Sequence, residues 1–583
     1  MFSPLDAVYD ICQAYIRDCS GLVDETLRKR VDGFRRSRNL EALSTCSHHF
    51  DWHSHAVDDW RFLRQVEAFF KKNALFSDKT KCRDAAQRSF ILSEEQCSCT
   101  NRRLREFMSR EVDLDLKTRK YILAIQSYIC SVLGPFDRFL DELAYLVKVT
   151  PGATAQTPRR YSLPQLKLKL KLFCTNRARP YLTWIYRIFG FDKVSLRETY
   201  TNRVELVPKN WRTDRTIACE PEGNLPLQLA FDTYAKRKLR RFKIDLRNQD
   251  ANKKKAKHAS IHNDYVTVDF ERASDTISYN TVQWLMPEDW FRYLSDIRSP
   301  MYRGVFGEGE YAKFSSMGNG ATFCIETLLF AGVCWAVGSR NFLVYGDDVI
   351  VEKRFYEEFL GLARFLGFTV NEEKTFHDGP FRESCGGDFF NGVDVTPVYI
   401  RRVDKRKASL CHLVNSLGAI ALPGLELEHF LEVLIREERL PSVPFNESTL
   451  SGIWILPGEA RRQGVLKRRV LRKGGPRLHL YRAYVPETKQ RKFVDSRGYY
   501  LWFLYKNAQA FFGGPWEATD SRCDPTQTSS VPVFQHRYVR KWVSWFPAQA
   551  IPDQLFYLSW PTNSAPGVIP AKVPKVRGKA ATV

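Results

Sequence analysis

The sequence predicts a mixed α/β fold, α+β in its arrangement, with a helical N-terminal region. Three observations carry that prediction. In the first two hundred residues, stretches such as 59–71 and 117–147 repeat apolar side chains at helical spacing, with Pro135 marking a break. From Val204 onward, short β-branched and aromatic runs alternate with apolar helical stretches. With 583 residues, 44% hydrophobic and 27% charged, the chain is globular in composition but too long for one core, so several subdomains are expected.

The chain is organised around residues 342–351, Phe-Leu-Val-Tyr-Gly-Asp-Asp-Val-Ile-Val. Two strand-forming arms around Gly346 predict a hairpin with an acidic turn. Buried arms cannot hide the adjacent charges of Asp347 and Asp348, so these stand at the tip and meet something positive. Mg²⁺ suits hard carboxylate oxygens and keeps water and substrate phosphate as its other ligands. The plain alternative is a solvated turn.

A second acidic site lies upstream. Residues 265–268 read as a buried strand ending in Asp269, and Asp275 follows at a distance that lets it reach back over the same place. Phosphoryl transfer by two metal ions needs carboxylates from separate strands, which Asp269 and Asp347 supply if their strands are neighbours. A strand-end aspartate that only caps the next segment is the alternative.

Around these acids lie groups suited to a polyphosphate. Residues 204–221 predict a hairpin whose turn lets Lys209, Arg212 and Arg215 converge on one face, where they would neutralise a nucleotide triphosphate. Residues 315–320 are small and pliable, and an apolar helix is expected over 322–337. An amphipathic helix over 355–366 and a strand over 368–370 then lead to Lys374, either a proton donor to pyrophosphate or an ordinary solvated lysine.

The balance of 89 Lys and Arg against 66 Asp and Glu gives +23, which points to a polyanionic partner, nucleic acid foremost. Basic residues cluster at 163–179, as a strand face or part of a helix, and at 236–258, expected to face a template or form a flexible loop. A further basic block at 461–473 suits a duplex exit or a solvated face, and aromatic residues near 499–505 and 542–546 suit a core or a stacking platform. Cys46, His48, His49, His53 and His55, with Cys82, Cys97 and Cys99 beyond, are either a zinc-binding group or a polar loop. The 14 Cys show no framework spacing, residues 1–20 carry Asp6, Asp10, Arg17 and Asp18 instead of a signal core, and no apolar run reaches membrane-spanning length; a cytosolic protein without a membrane role is expected.

In this order, the motifs resemble those of viral RNA-dependent RNA polymerases, and most closely the catalytic beta subunit of the levivirus (small RNA bacteriophage) replicases. The marks are 207–210 with 213–215; 273–275 with Ile277 and Ser278; 316–320; 345–348; and the blocks 379–386 and 392–397. The resemblance covers about 204–400 and implies a right-hand polymerase with fingers, palm and thumb. It implies an N-terminal helical region with part of the fingers over 1–200, and the fingers with the basic hairpin over 201–262. The palm would follow over 263–400, the thumb and C-terminal region over 401–563, and a disordered basic tail over 564–583.

The resemblance also implies roles. Asp269, Asp347 and Asp348 match the ligands of two Mg²⁺ ions, with Mn²⁺ as substitute, and Asp275 matches the residue reading the ribose 2′-hydroxyl. Lys209, Arg212 and Arg215 match the triphosphate cradle; Ser316, Gly318, Asn319 and Thr322 match the nucleotide and template loop. Glu326 stands where many viral enzymes have Asn, a departure that the phage replicases share. Implied partners are RNA template and product, NTPs, host elongation factors Tu and Ts and an RNA-binding ribosomal protein, in the cytoplasm of a bacterial host, with synthesis that needs no primer. Rival readings are the polymerase of another capsidless RNA virus and a non-catalytic basic RNA-binding protein. Gly346 and Asp275 argue against a reverse transcriptase.

Overall fold

The computed structural model describes residues 3–51, 55–163, 167, 171–188, 194–401, 403–404, 406–445, 447–456, 462–465, 467–470, 477–492 and 530–545. The N-terminal region is helical, as its periodicity predicts. Helix α1 (Val57–Lys71) is followed by the 30-residue α2 (Lys79–Met108), whose first amides at Thr80 and Lys81 are capped by the Asp78 carboxylate. Leu116–Leu133 and Asp137–Leu146 are separate helices, broken at Gly134 and Pro135. One stripe of α2, with Phe90, Cys97, Thr100 and Leu104, is buried. The helix thus runs behind the segments that carry the site.

Strand β1 (Thr201–Pro208) pairs antiparallel with β2 (Asp214–Cys219), which leaves 209–213 as the turn of the expected cationic hairpin. Two helices follow, α3 (Asn224–Arg241) and α4 (Asp250–His262). Between them they hold most of the basic stretch 236–258, which is therefore not a flexible loop. Its cations are partly spent on the fold: Lys236 pairs with Asp232 at 2.8 Å, Arg237 with Glu142 at 2.6 Å, and Lys255 donates to the Asn341 carbonyl at 2.7 Å. Helix α4 buries only Asn252, Ala256, Ala259 and Ser260, small enough to lie close against strand β3 (Tyr265–Val268).

Helix α5 (Thr322–Ala336) is apolar on all sides and buried on nearly all of them, the pattern of a helix inside a core. It leads into the hairpin of β4 (Leu343–Tyr345) and β5 (Asp348–Glu352). Strands β3, β5 and β4 form one antiparallel sheet in that order, with Val268 opposite Val349 and Tyr345 opposite Asp348. Val266, Val268, Val344, Val349 and Val351 pack into the main core with Phe270, Phe330 and Phe368.

The helix expected over 355–366 is present as Tyr356–Phe365, but 368–370 is not a strand. Val370 makes only an isolated bridge to Phe270, because the chain curls at once into the turn Glu372–Lys374 before a ladder can extend. Beyond it, β6 (Phe381–Ser384), β7 (Gly387–Phe390) and Val393–Asp394 form a second antiparallel sheet. A second core joins this sheet and residues 400–453 to the N-terminal helices, with Phe62, Phe69, Phe381, Phe390 and Leu410 among its members.

In the C-terminal region the long strands Arg477–Lys492 and Ser530–Trp545 pair antiparallel. His53, Arg461, Arg472, Lys473, the aromatic group at 499–505, Phe546 and the tail 564–583 lie outside the described residues. Of the alternating 166–172 stretch, Lys167 is buried and donates to the Thr150 carbonyl at 2.6 Å, so it belongs to no solvated basic face. Among the described residues no helix is long and apolar enough to cross a membrane.

Candidate active site

The register of the β3–β5–β4 sheet brings the separately expected acids together. Asp269 follows the last residue of β3, Asp348 opens the neighbouring β5, and Asp347 shares the tight turn between β4 and β5 with Gly346. Only glycine fits there: its φ is +65°, and a Cβ would stand 2.4 Å from a ring carbon of Phe323. The turn is held from below by the Gly346 amide, which donates to Thr327 Oγ1 at 3.2 Å.

Two of the three aspartates are oriented by a fixed donor. Asp269 Oδ2 accepts from Asn371 Nδ2 at 3.0 Å and faces Lys374 Nζ at 3.5 Å. Asp348 Oδ1 accepts from the Cys385 amide at 3.0 Å, just past the end of β6. Beneath the turn, Glu326 of α5 is 2% exposed and accepts from Ser274 Oγ at 3.3 Å.

These acids lack enough cation around them. Burial pushes the Asp269 carboxyl up to about 6; Lys374 opposes the rise, while Asp347 and Glu383 add to it. Asp348 is also pushed up to about 6 by burial, with the Cys385 amide opposing and Asp347, Asp269 and Glu383 contributing. Glu326 rises well above the carboxylate range, by burial first and then by repulsion from Asp347. A site of hard oxygens with surplus negative charge fits a divalent cation. Among the described residues no three His, Cys, Asp or Glu close into a metal cage; Asp269, Asp347 and Asp348 would be the protein's share of a Mg²⁺ shell completed by water and phosphate.

Of the three expected cradle cations, Lys209 faces the site and Arg215 lies near Lys209. Lys209 lies within electrostatic reach of Arg215, Lys374, Asp269 and Asp347, and its ammonium is shifted down first by loss of water and then by the two cations. Arg212 is drawn elsewhere: its guanidinium pairs with Glu41 and lies over the Trp211 ring at 5.1 Å.

The small-residue loop docks on the cationic hairpin. The Ala218 amide of β2 donates to the Met317 carbonyl at 2.8 Å, and Gly318, with φ +110°, approaches so closely that a Cβ would lie 2.2 Å from the Ala218 oxygen. Asn319 and Thr322 hold the loop in shape: Asn319 Oδ1 accepts from the Ala321 amide at 2.9 Å, and Thr322 Oγ1 donates to the Ser316 carbonyl at 3.0 Å. Ser316 is buried beside them. Asp275 ends the short turn Ala273–Asp275, with Oδ1 2.9 Å from Lys313 Nζ.

Sequence reasoning gave no role to Lys313, Asn371, Glu383 or Arg64. Arg64 and Glu67 did leave a signal, a pair of charges at i,i+3 inside the apolar run 62–70. The Cys and His cluster, read as either a zinc-binding group or a polar loop, has its described members drawn to other partners: Cys46 is buried, His48 Nδ1 faces Glu373 at 3.8 Å and His55 faces Asp59 at 3.7 Å.

Acids converging from two neighbouring strands, faced by Lys209 and Lys374 with Arg215 beside Lys209, make a site suited to polyphosphate chemistry. The chain belongs to the RNA replicase, beta-chain family, whose model matches residues 22–423. It is 36% identical over 452 residues to the RNA-directed RNA polymerase subunit beta of Qbeta virus (strain MX1), covering 73% of each chain. It is 38% identical over 345 residues to the subunit of the same name from Enterobacteria phage SP, covering 57% of this chain and 59% of that one. With the RNA-directed RNA polymerase beta chain of Escherichia phage MS2 the identity is 32% over 327 residues, covering 54% of this chain and 58% of the relative.

Proposed function

We propose that the chain is an RNA-directed RNA polymerase that replicates a single-stranded RNA phage genome, adding ribonucleotides to the 3′ end of a strand copied from an RNA template, without need of a primer. The observation that carries this reading is the adjacency of β3 and β5, which sets Asp269 beside Asp347 and Asp348. The sheet and α5 serve as palm, and the β1–β2 hairpin, docked on the 315–319 loop, as part of the fingers.

In this reading Asp269, Asp347 and Asp348 hold two Mg²⁺ ions, replaceable by Mn²⁺. Bound there, the ions make the 3′-hydroxyl more acidic and neutralise charge on the phosphates. Lys209 and Arg215 neutralise the triphosphate from the hairpin side, joined by Arg212 if it leaves Glu41. Lys374 stands where it can hand a proton to the leaving pyrophosphate. Asp275 reads the ribose 2′-hydroxyl, and Ser316, Gly318, Asn319 and Thr322 shape the surface against nucleotide and template.

The test is template-dependent NTP incorporation. It should require Mg²⁺, stop on chelation, and vanish in Asp347→Asn while RNA binding persists; appreciable synthesis by that variant would remove the metal role. Host elongation factors Tu and Ts and an RNA-binding ribosomal protein are the proposed partners in the bacterial cytoplasm, to be sought by pull-down from host lysate.

A further inference from the structure

Lys313 lies just before the 315–319 loop with only 1% of its side chain exposed. An ammonium so far from water needs anions around it. Two meet it from different elements: Asp275 Oδ1 at 2.9 Å and Glu94 Oε1, from α2, at 3.2 Å. The rings of Phe90 and Tyr311, with centroids at 4.4 and 5.1 Å, cover the rest of its head.

The surrounding backbone is fixed as well. Glu94 Oε2 accepts from the Ala312 amide at 2.7 Å, and Arg298 donates to the carbonyls of Lys313 at 3.1 Å and Phe314 at 2.7 Å. The Phe314 amide donates to the Ile277 carbonyl at 2.8 Å. Cys97 Sγ contacts the Asp275 carbonyl at 3.6 Å. Lys313 cannot swing without breaking both of its ion pairs, and the Asp275 carboxylate cannot turn away without losing its bond to Lys313. The Asp275 side chain still keeps 21% exposure, so one face remains open to a substrate.

We propose that Lys313 is a positioning residue for sugar selection: clamped between Glu94 and Asp275, it fixes the direction in which the Asp275 carboxylate is presented and thereby how strictly ribose is preferred to deoxyribose. This rests on the assignment of Asp275 to the 2′-hydroxyl made above. A group that recognises a hydroxyl discriminates in proportion to how firmly it is held. Lys313 ties that group to α2 and to the base of the template loop at once.

The experiment compares kcat/KM for an NTP and its matching dNTP on one template, in the wild type and in Asp275→Ala, Lys313→Met, Lys313→Arg and the double variant Asp275→Ala/Lys313→Met. The NTP preference should fall in Asp275→Ala, fall by about tenfold in Lys313→Met, and recover largely in Lys313→Arg. The Asp275→Ala/Lys313→Met variant should lose no more than Asp275→Ala alone. If Lys313→Met does not fold, Glu94→Leu/Lys313→Met removes the orphaned buried acid and should show the same loss. Wild-type preference in folded Lys313→Met or Glu94→Leu/Lys313→Met, alongside a reduced one in Asp275→Ala, overturns the positioning role. Unchanged preference in Asp275→Ala instead overturns the sugar-reading assignment, and the role of Lys313 with it.

Discussion

Two clusters of buried charge meet at Glu383 on β6, and they are built on opposite principles. On one side, Arg64 of α1 reaches Asp388 of β7 at 2.6 Å, Glu67 at 3.3 Å and Glu383 at 3.5 Å, while Lys71 also pairs with Glu67. On the other side, Asp269, Asp347, Asp348 and Glu326 crowd together with Lys374 at their edge. In the first cluster the fold supplies cations, although burial still pushes the Asp388 carboxyl upward against the pull of Arg64. Glu67 is lowered to about 2, because Arg64 and Lys71 together outweigh the burial that would raise it. In the second, burial and mutual repulsion raise Asp269 and Asp348 to about 6. The first arrangement locks the N-terminal helices to the second sheet. The second is costly in the free protein and would be relieved by a bound cation, as a functional site would require.

The sharpest way to test this contrast is to remove one acid from the crowded side. Asp269→Asn should lower incorporation by about 10³-fold or more, yet raise the stability of the cation-free protein near pH 7.5 by roughly 2 kcal/mol. Denaturant melts with chelator read the second effect; a destabilised variant would show that Asp269 is not under repulsion. Arg64→Met should act in the opposite sense, leaving Asp388 and Glu67 buried without their main cation and costing about 3–5 kcal/mol. A loss below about 1 kcal/mol in the same melts would mean that the Arg64 cluster contributes little to the fold.

The pH dependence separates the two sides further. Asp269 and Asp348 have folded values above their ordinary 3.8, so their penalty on the free protein is present above about 6 and fades as pH falls from 6 towards 4. Glu67 has a folded value below its ordinary 4.5, so its contribution is present above 4.5 and is lost as pH falls towards 2. Melting temperature in chelator should therefore rise on acidification from pH 7 to 5 and fall below pH 4, and saturating Mg²⁺ should diminish the rise, leaving the share of Asp388, whose carboxyl burial also pushes upward. A monotonic fall from pH 7 downward would contradict the assignment of uncompensated acids. The smallest effect is expected from Lys71→Met: its head is partly exposed and Arg64 remains beside Glu67, so stability should drop by only about 1 kcal/mol in the same assay.

Much of the site was legible in the chain because its signals are local. Two β-branched and aromatic arms around a glycine marked the hairpin around Asp347 and Asp348, a short β-branched and aromatic run marked the strand before Asp269, and small residues marked the loop at 315–320. Pro135 separated two helices as expected. Where the reading of Arg212 failed, a partner far along the chain had intervened. Arg212 sits in the predicted turn, but Glu41, 171 residues earlier, takes its guanidinium. Residues 368–370 have strand composition, but the turn at Glu372–Lys374 leaves them a single bridge. The stretch 236–258 looked like a loop for its charge, yet its ends lie in α3 and α4, and the buried alanines of α4 set its last part against β3.

By itself, the sequence determined the local pieces: the acidic turn that only glycine closes, the strand-end aspartate, the cationic hairpin, the net positive charge and the order of motifs. Those follow from backbone preferences and periodicity, which act over a few residues. Tertiary structure alone decided which charges are answered and which are left wanting. Lys313 goes to Asp275 and Glu94, Arg64 to Asp388, and Asp269 and Asp348 are left without full compensation, because desolvation and ion pairing depend on neighbours brought together from hundreds of residues apart.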